Sequence, residues 1–357
     1  MKKNKTSEIY WTERMIRTFL DGEKEVLDVA KELQTQYYEA TKEIEKHILL
    51  FYGKYQTTSG LDMKTIRKQL DKTELKDFKH NLNEIIEYAK EHKMDKDFRV
   101  RMKLLNIKTR ISRLEELKTN IEFEVQKLAV NEESILRKTM EDIYEITYLK
   151  NIYNYDLFTG LNTSFTIPNF KAVEKLLSTP INIKNYAVGL YKNKNNLVNL
   201  LNNYIPQGLI LGYNPKKVAG IASKALGTNY NSTVRLVRTE YNYVMNQATT
   251  DSYKACNIDR YQILAALDER TCTECIDLNL RIEDLNIAEV GLNYPPFHPN
   301  CRCTTIPYFE PDEFDNIEFE GDLQDDTAII KIIKNDDGTE TIVPNREGFE
   351  KWKKNLK

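Results

Sequence analysis

Four of the five cysteines in this chain lie between residues 272 and 303. Cys272 and Cys275 are separated by two residues, and a tight turn of that length can direct both sulfurs toward one ion. His298, Cys301 and Cys303 follow closely and offer one nitrogen and two further sulfur donors. Sulfur and imidazole donors in a closed tetrahedron are typical of structural zinc. The pattern therefore predicts one structural Zn²⁺ per chain, with these five residues as its candidate ligands.

Five donors exceed the four places of a tetrahedral site by one. The spacing indicates that Cys301 or Cys303 is the spare residue, and it does not choose between them. Two other interpretations of the Cys272–Cys275 pair stay open, namely unmetallated buried thiols and a redox pair. The redox interpretation is disfavoured because a catalytic pair of this type opens a long helix, whereas the segment after Cys275 is short and soon interrupted.

Charged residues near the cysteines, and on the helix that precedes them, form a second group of interest: Arg238, Glu240, Asp268 and Arg270. Arg238 and Glu240 are two residues apart, so they cannot share one helix face. Glu240 can pair with Arg238 in trans or with an arginine beside the cysteines. Arg270 and Arg302 flank the cysteines and can offset the charge of several thiolates. A catalytic role for Arg238 and Glu240 is one interpretation, but we favour a polar brace that holds the helix on the metal module, with no catalytic residue.

The bulk composition limits the classes of protein to be considered. The chain has 357 residues, of which 41% are hydrophobic and 30% are charged, with a formal net charge of -2. This length predicts two or three domains, and the net charge gives no global basic character of the kind that indicates nucleic-acid binding. There is no secretory signal pattern and no apolar run of about 18 residues. We therefore expect a protein of a reducing cytoplasm, where clustered cysteines indicate metal binding rather than disulfides.

Hydrophobic periodicity predicts a mainly α fold with long helices in the N-terminal half. The spacing of apolar residues favours helices over residues 7–55, 61–94, 98–128 and 131–150. Tyr153, Asn154 and Gly160 then indicate a loop-rich junction beginning near Asn151. Shorter helices follow, including 216–226 and 231–256.

The C-terminal third is predicted to contain strands. Residues 261–267 fit a strand that leads into the Cys272 turn, and residues 328–343 fit a hairpin. The acidic stretch 310–326 is expected to be a flexible linker. The expected domains are a long-helix region 1–150, a region 151–308 with a small α+β module stapled by zinc at 268–303, and an acidic linker with a hairpin tail at 309–357.

The motifs of the middle region resemble those of the Mu F-like phage head morphogenesis proteins, which are minor head or minor capsid proteins of tailed bacteriophages. The resemblance is carried by Arg238-Thr239-Glu240, by Asp268-x-Arg270-Thr271-Cys272-x-x-Cys275, and by Pro295-Pro296-x-His298-Pro299-Asn300-Cys301-Arg302-Cys303. It covers residues 150–308. The opening Tyr10-Trp11-x-x-Arg14 is also similar to the N-terminal part of such proteins.

This resemblance implies a structural protein of the virion without enzymatic activity. It implies a location inside the capsid, and in the host cytoplasm during assembly. The partners implied are the portal protein, capsid or scaffold proteins and double-stranded DNA, with no membrane.

Two alternatives to a structural head role are a zinc-containing nuclease and a DNA-binding protein. A nuclease of this kind needs a general-base histidine besides any zinc ligands. His298 is the only histidine after His92, so the nuclease is disfavoured. A DNA-binding role draws on the Lys-rich helices of the first 150 residues and is compatible with a head protein.

Overall fold

The computed structural model describes residues 5–55, 68–160, 163–166, 186–310, 317–320, 330–334, 340–343 and 348–356. The chain divides into two compact units. The first unit comprises Met1–Asp28, Lys138–Tyr186 and Arg235–Lys357, and the second comprises Val29–Arg137 and Ala187–Val234. The sequence-based division of the chain at residues 150 and 308 stays a prediction.

Long helices dominate the described residues, which confirms the predicted mainly α fold. The helices of the described residues are α1 (Lys5–Tyr55), α2 (Lys72–Glu91), α3 (Lys96–Ile107), α4 (Arg113–Thr159), α5 (Tyr186–Ile210), α6 (Pro215–Ala255), α7 (Thr273–Leu278) and α8 (Phe349–Asn355). Within the described parts of the chain, no helix combines the length and apolar character needed to cross a membrane.

The second unit is held together by apolar residues at helical spacing. Its core includes Tyr37, Ile44 and Ile48 of α1, Leu117, Ile121 and Val125 of α4, Leu197, Leu201 and Ile205 of α5, and Val218, Ala222 and Leu226 of α6. Spacings of three and four residues put these side chains on one face of each helix. Only a helical backbone can bury all of them together, so their burial stabilises the helical conformation.

The helix predicted over 98–128 is divided in the structure, because α3 ends at Ile107 and α4 begins at Arg113. Ser112 and Glu115 form a capping box at this start. Glu115 Oε2 accepts the Ser112 backbone N–H at 2.9 Å, and Ser112 Oγ accepts the Glu115 N–H at 3.2 Å. The Ser-x-x-Glu pattern is a known signal for the start of a helix. The apolar residues keep their helical spacing across the break between α3 and α4, so that spacing alone does not reveal the break.

The loop-rich junction predicted near Asn151 is wrong, since α4 continues to Thr159. Asn151 is buried, and its side-chain amide donates a hydrogen bond to the Thr249 hydroxyl at 3.1 Å. The Tyr10 hydroxyl donates to the backbone carbonyl of Asn154 at 2.9 Å. Partners of this kind satisfy the polar groups that would otherwise favour a turn, so tertiary packing overrides the local preference.

A three-stranded antiparallel sheet belongs to the first unit. It contains β1 (Arg260–Leu264), β2 (Ile282–Asp284) and β3 (Thr304–Pro307) in the order β2-β1-β3. Gln262 of β1 is in register with Ile282 on one side and with Ile306 on the other. Ile306 packs in a cluster with Tyr10, Trp11 and Met15 of α1 and Phe158 of α4. The sheet therefore fixes the segment that ends at Cys303, directly before β3.

A second antiparallel sheet contains β4 (Ile317–Glu320), β5 (Ile330–Lys334) and β6 (Glu340–Val343) in that order. The pairing of β5 with β6 agrees with the predicted hairpin, whose turn lies outside the described residues. β4 lies within the stretch expected to be a linker. Its residues alternate between apolar and acidic, from Ile317 to Glu320, which is the period of a strand.

Candidate metal centre

The pair of Cys272 and Cys275 lies at the start of α7, after the turn that follows β1. Cys272 is the N-cap residue, and its sulfur accepts a hydrogen bond from the backbone N–H of Cys275 at 3.5 Å. Asp268 shapes the turn, because its Oδ1 accepts the Arg270 N–H at 2.8 Å and its own N–H donates to Thr271 Oγ1 at 2.9 Å. These local bonds fix the turn that carries the two thiols.

His298 and Cys301 lie in the loop that precedes β3. The backbone N–H of Cys301 donates to the His298 carbonyl at 3.0 Å, which closes a tight turn. Asn300 within it has a φ of 60°, in the left-handed region that asparagine tolerates. The Asn300 N–H donates to the hydroxyl of Thr239 on α6 at 3.1 Å. The turn and its contact with α6 together position the second group of donors.

The imidazole of His298 approaches the sulfurs of the first group. Its Nε2 is 3.2 Å from Cys272 Sγ and 3.1 Å from Cys275 Sγ. Its Nδ1 is 2.9 Å from the Pro299 carbonyl oxygen. A hydrogen bond donated by Nδ1 leaves the lone pair of a neutral ring on Nε2, facing the sulfurs. Cys275 Sγ is also 3.9 Å from Cys301 Sγ.

All five donors predicted from the sequence lie in one cluster. The cluster consists of two groups of three, Cys272, Cys275 and His298, and Cys275, Cys301 and Cys303, each with its donor atoms within 4.8 Å of one another. Cys275, Cys301 and Cys303 are buried. Thiol sulfur and imidazole nitrogen at such separations fit Zn²⁺, which takes four of these ligands in a tetrahedron. The cluster can bind a metal ion, and the assignment of its individual ligands stays a prediction.

The thiols of the cluster differ in acidity. The backbone N–H of Cys275 lowers the pKa of Cys272, and the hydrogen bond from Cys303 lowers the pKa of Cys301 to about 5. Burial raises the pKa of Cys275 to about 12, while the hydrogen bond with Cys301, together with burial, raises the pKa of Cys303. Burial alone would lower the pKa of His298, but its backbone hydrogen bond and the nearby sulfurs raise it. Metal ions bind thiolates, so binding of an ion would displace the protons of the thiols that hold it.

Asp268 links the two loops that carry the donors. The guanidinium of Arg302 donates two hydrogen bonds to its carboxylate, at 2.6 and 2.5 Å. Arg302 lies between Cys301 and Cys303, and its bidentate pairing holds the pKa of Asp268 well below the usual range. Arg270 Nη2 is 3.4 Å from the same carboxylate. The structure therefore brings the predicted residues Asp268 and Arg270 together, with Arg302 as their shared neighbour.

Arg238 and Glu240 are placed differently. Arg238 is exposed and takes part in no ion pair with another described residue. Glu240 is 4% exposed, and burial raises its pKa to about 7. It too has no ion pair within the described part of the chain. The brace role of these two residues stays a prediction.

Two buried asparagines of α6, for which the spacing predicts no role, contact the donor loop. Asn242 Nδ2 and Asn246 Nδ2 donate hydrogen bonds to the backbone carbonyl of Cys303 at 3.0 and 3.1 Å. The hydroxyl of Tyr294 donates to the carbonyl of Asn246 at 2.8 Å. Two amides four residues apart lie on the same helix face, and buried amides need partners. The spacing places the two amides on one face but does not reveal their partner, because Cys303 lies 57 residues beyond Asn246.

Comparison with known proteins places the donor cluster within a matched region. Residues 199–306 match the model of a family described as "Phage Mu protein F like protein". The chain is also 27% identical over 187 residues to the minor head protein GP7 of Bacillus phage SPP1, a match that covers 48% of this chain and 60% of that protein. The match thus spans less than two thirds of the relative. No solved structure matches the chain significantly.

Proposed function

We propose, from the similarity of residues 199–306 to the Phage Mu protein F like family, that the chain is a structural minor head protein of a tailed bacteriophage. It acts in assembly of the head in the host cytoplasm and is retained inside the capsid. Its partners are the portal protein, capsid or scaffold proteins and packaged double-stranded DNA. The similarity of the chain to the minor head protein GP7 of Bacillus phage SPP1 supports this role.

The observation that carries the proposal is the position of the donor cluster within the matched residues. The family match ends at residue 306, directly after the last of the five donors. Zinc held by four protein donors has no open position for substrate or water, which is the property of a structural site. We therefore assign the cluster to folding of the module rather than to a reaction.

Co-purification from infected cells tests the head role. An affinity tag on the chain should retain the portal protein and capsid components from assembling heads, and the chain should be found in purified virions. Absence of the chain from virions, and of every head component from the retained material, would contradict the proposal. A tag on the same chain bearing Cys272→Ser should retain less portal protein, because a structural metal contributes folding energy directly.

Elemental analysis tests whether the donor cluster binds a structural zinc ion. The purified chain should contain one zinc ion, and Cys272→Ser should lose it and become less stable to heat. The matched control is Cys256→Ser, which makes the same chemical change at a buried cysteine outside the donor cluster. Equal zinc content in the two variants would exclude Cys272 as a ligand.

DNA contact and nuclease activity have separate tests. Binding to double-stranded DNA without sequence preference should weaken steeply as salt concentration rises, because phosphate contacts release counterions. A nicking assay with plasmid DNA and added divalent metal should show no cleavage. Cleavage that disappears in His298→Ala would instead support the nuclease alternative.

A further inference from the structure

The cluster holds five donors for an ion that takes four, and the contacts around Cys301 and Cys303 distinguish these two thiols. We propose that Cys272, Cys275, His298 and Cys301 bind one metal ion and that the side chain of Cys303 stays outside the coordination sphere. This inference rests on the proposed structural metal site and concerns which residues form it.

The first step of the argument is the position of the imidazole. His298 Nε2 lies within 3.2 Å of both Cys272 Sγ and Cys275 Sγ, and its other nitrogen is bound to a backbone carbonyl. One ion can therefore be shared by these three residues, and the remaining ligand must lie close to them. Any fourth ligand has to come from the Cys301–Cys303 segment, since the other members of the cluster lie there.

The second step is the distance between sulfurs. Two thiolates bound to the same zinc at about 2.3 Å are separated by about 3.8 Å along the edge of a tetrahedron. Cys301 Sγ is 3.9 Å from Cys275 Sγ. Cys303 Sγ also lies within 4.8 Å of the Cys275 and Cys301 sulfurs. The Cys275–Cys301 separation matches the edge of a zinc tetrahedron, which favours Cys301 as the fourth ligand.

The third step is the supply of hydrogen bonds to the sulfurs. The backbone N–H of Cys275 donates to Cys272 Sγ at 3.5 Å, and the backbone N–H of Cys303 donates to Cys301 Sγ at 3.5 Å. N–H groups directed at sulfur stabilise the thiolate that a metal requires. No backbone N–H of the described residues donates to Cys303 Sγ, and the Cys303 carbonyl accepts hydrogen bonds from Asn242 and Asn246. Cys303 is therefore anchored through its main chain, whereas the Cys301 sulfur receives the hydrogen bond that favours a thiolate.

The test uses the full-length chain loaded with zinc or cobalt, and compares Cys303→Ser with Cys301→Ser. Both residues are 2% exposed, so the pair controls for the loss of a buried thiol. Cys303→Ser should keep one metal ion per chain and should bind it more tightly than Cys301→Ser, because serine retains a hydrogen-bond donor beside Cys301. Loss of an outer contact weakens metal binding by 10- to 100-fold, so loss of a ligand in Cys301→Ser should weaken it by at least about 100-fold.

X-ray absorption of the zinc-loaded chain provides a readout that does not depend on the folding of a variant. The wild type and Cys303→Ser should both show three sulfur ligands at about 2.3 Å and one nitrogen ligand at about 2.0 Å. Four sulfur ligands in the wild type, or a loss of a sulfur ligand in Cys303→Ser, would overturn the assignment, as would an affinity of Cys303→Ser as low as that of Cys301→Ser. A wild-type chain that binds no metal would instead refute the proposed metal site itself.

Discussion

The hydroxyl of Tyr37 in the second unit lies between a buried carboxyl group and a buried side-chain amide. It lies 2.6 Å from Glu132 Oε1 and 2.5 Å from Asn229 Oδ1. The amide of Asn229 is oriented by its Nδ2, which donates to the Asn193 carbonyl at 2.8 Å. One hydroxyl proton cannot serve two acceptors at such short distances. Burial favours the protonated form of Glu132, which can donate to Tyr37 while Tyr37 donates to Asn229, whereas ionised Glu132 accepts the Tyr37 hydroxyl proton.

The pH dependence of stability follows from this arrangement. Burial raises the pKa of Glu132 to about 7, above its value in the unfolded chain. The folded state then binds more protons, so the contribution of Glu132 to stability is complete below about pH 4.5 and is lost as the pH rises through about 7. We expect the free energy of unfolding in urea to fall by about 2.5 kcal/mol between pH 5 and pH 8 on account of this residue.

The variant Glu132→Gln isolates this contribution. Glutamine keeps the shape of the side chain and supplies an N–H donor in place of the carboxyl O–H. Its unfolding free energy should fall less between pH 5 and pH 8 than that of the wild type, with the remaining fall assigned to groups such as Glu240, whose pKa is also raised to about 7. Identical pH profiles for the two proteins would show that Glu132 is already ionised in the folded chain.

At the scale of secondary-structure elements, α6 supports the donor loop through Asn242 and Asn246. Replacing both by alanine removes the two side-chain donors to the Cys303 carbonyl and leaves a buried acceptor unsatisfied. We expect a loss of about 3 kcal/mol in the free energy of unfolding, together with weaker metal retention, since the loop loses its anchor. Urea denaturation and metal titration measure the two effects.

The control for this change is the double variant Asn196→Ala and Asn199→Ala. These residues are exposed on α5 and form no hydrogen bond with other described residues. Their replacement should leave stability unchanged within about 0.5 kcal/mol. If the α6 variant behaves like this control, the carbonyl of Cys303 does not depend on α6.

The sequence predicts elements well where the signal is local. The apolar stripe of α1, the strand at β1 and the metal-ligand spacing from Cys272 to Cys303 were all visible in short windows. The continuation of α4 through Asn151 was not, because it depends on Thr249, which is 98 residues further along the chain. The anchoring of Cys303 by Asn246 is hidden for the same reason. Long-range partners decide whether a polar residue belongs to a loop or to a packed helix.

At the scale of the whole molecule, the elements that hold the donor cluster are short. The strands β1, β2 and β3 contain five, three and four residues, and α7 contains six. A metal ion that joins the two donor loops should therefore add to the stability of residues 260–306. We expect a strong chelator to increase amide hydrogen exchange in residues 260–306 and to lower the melting temperature.

Residues 72–107 provide the internal reference for this experiment. They form α2 and α3 around their own apolar cluster, including Phe78, Leu82, Ile85 and Phe98, with no metal donor group among them. Their exchange should be unaffected by the chelator. A variant with both Cys272→Ser and Cys275→Ser should show no response to the chelator in either region. Equal exchange of residues 260–306 with and without metal would contradict a stabilising role for the ion.

The distance along the chain between Asn246 and Cys303 has a consequence for biosynthesis. The two contact residues are separated by 57 positions, and translation at about 5 to 20 residues per second puts about 3 to 11 seconds between them. During that interval the amide of Asn246 lacks the carbonyl that it binds in the folded chain. Contacts of α6 with earlier residues such as Asn151 can form first, and the contact with the donor loop is completed only after Cys303 has been synthesised.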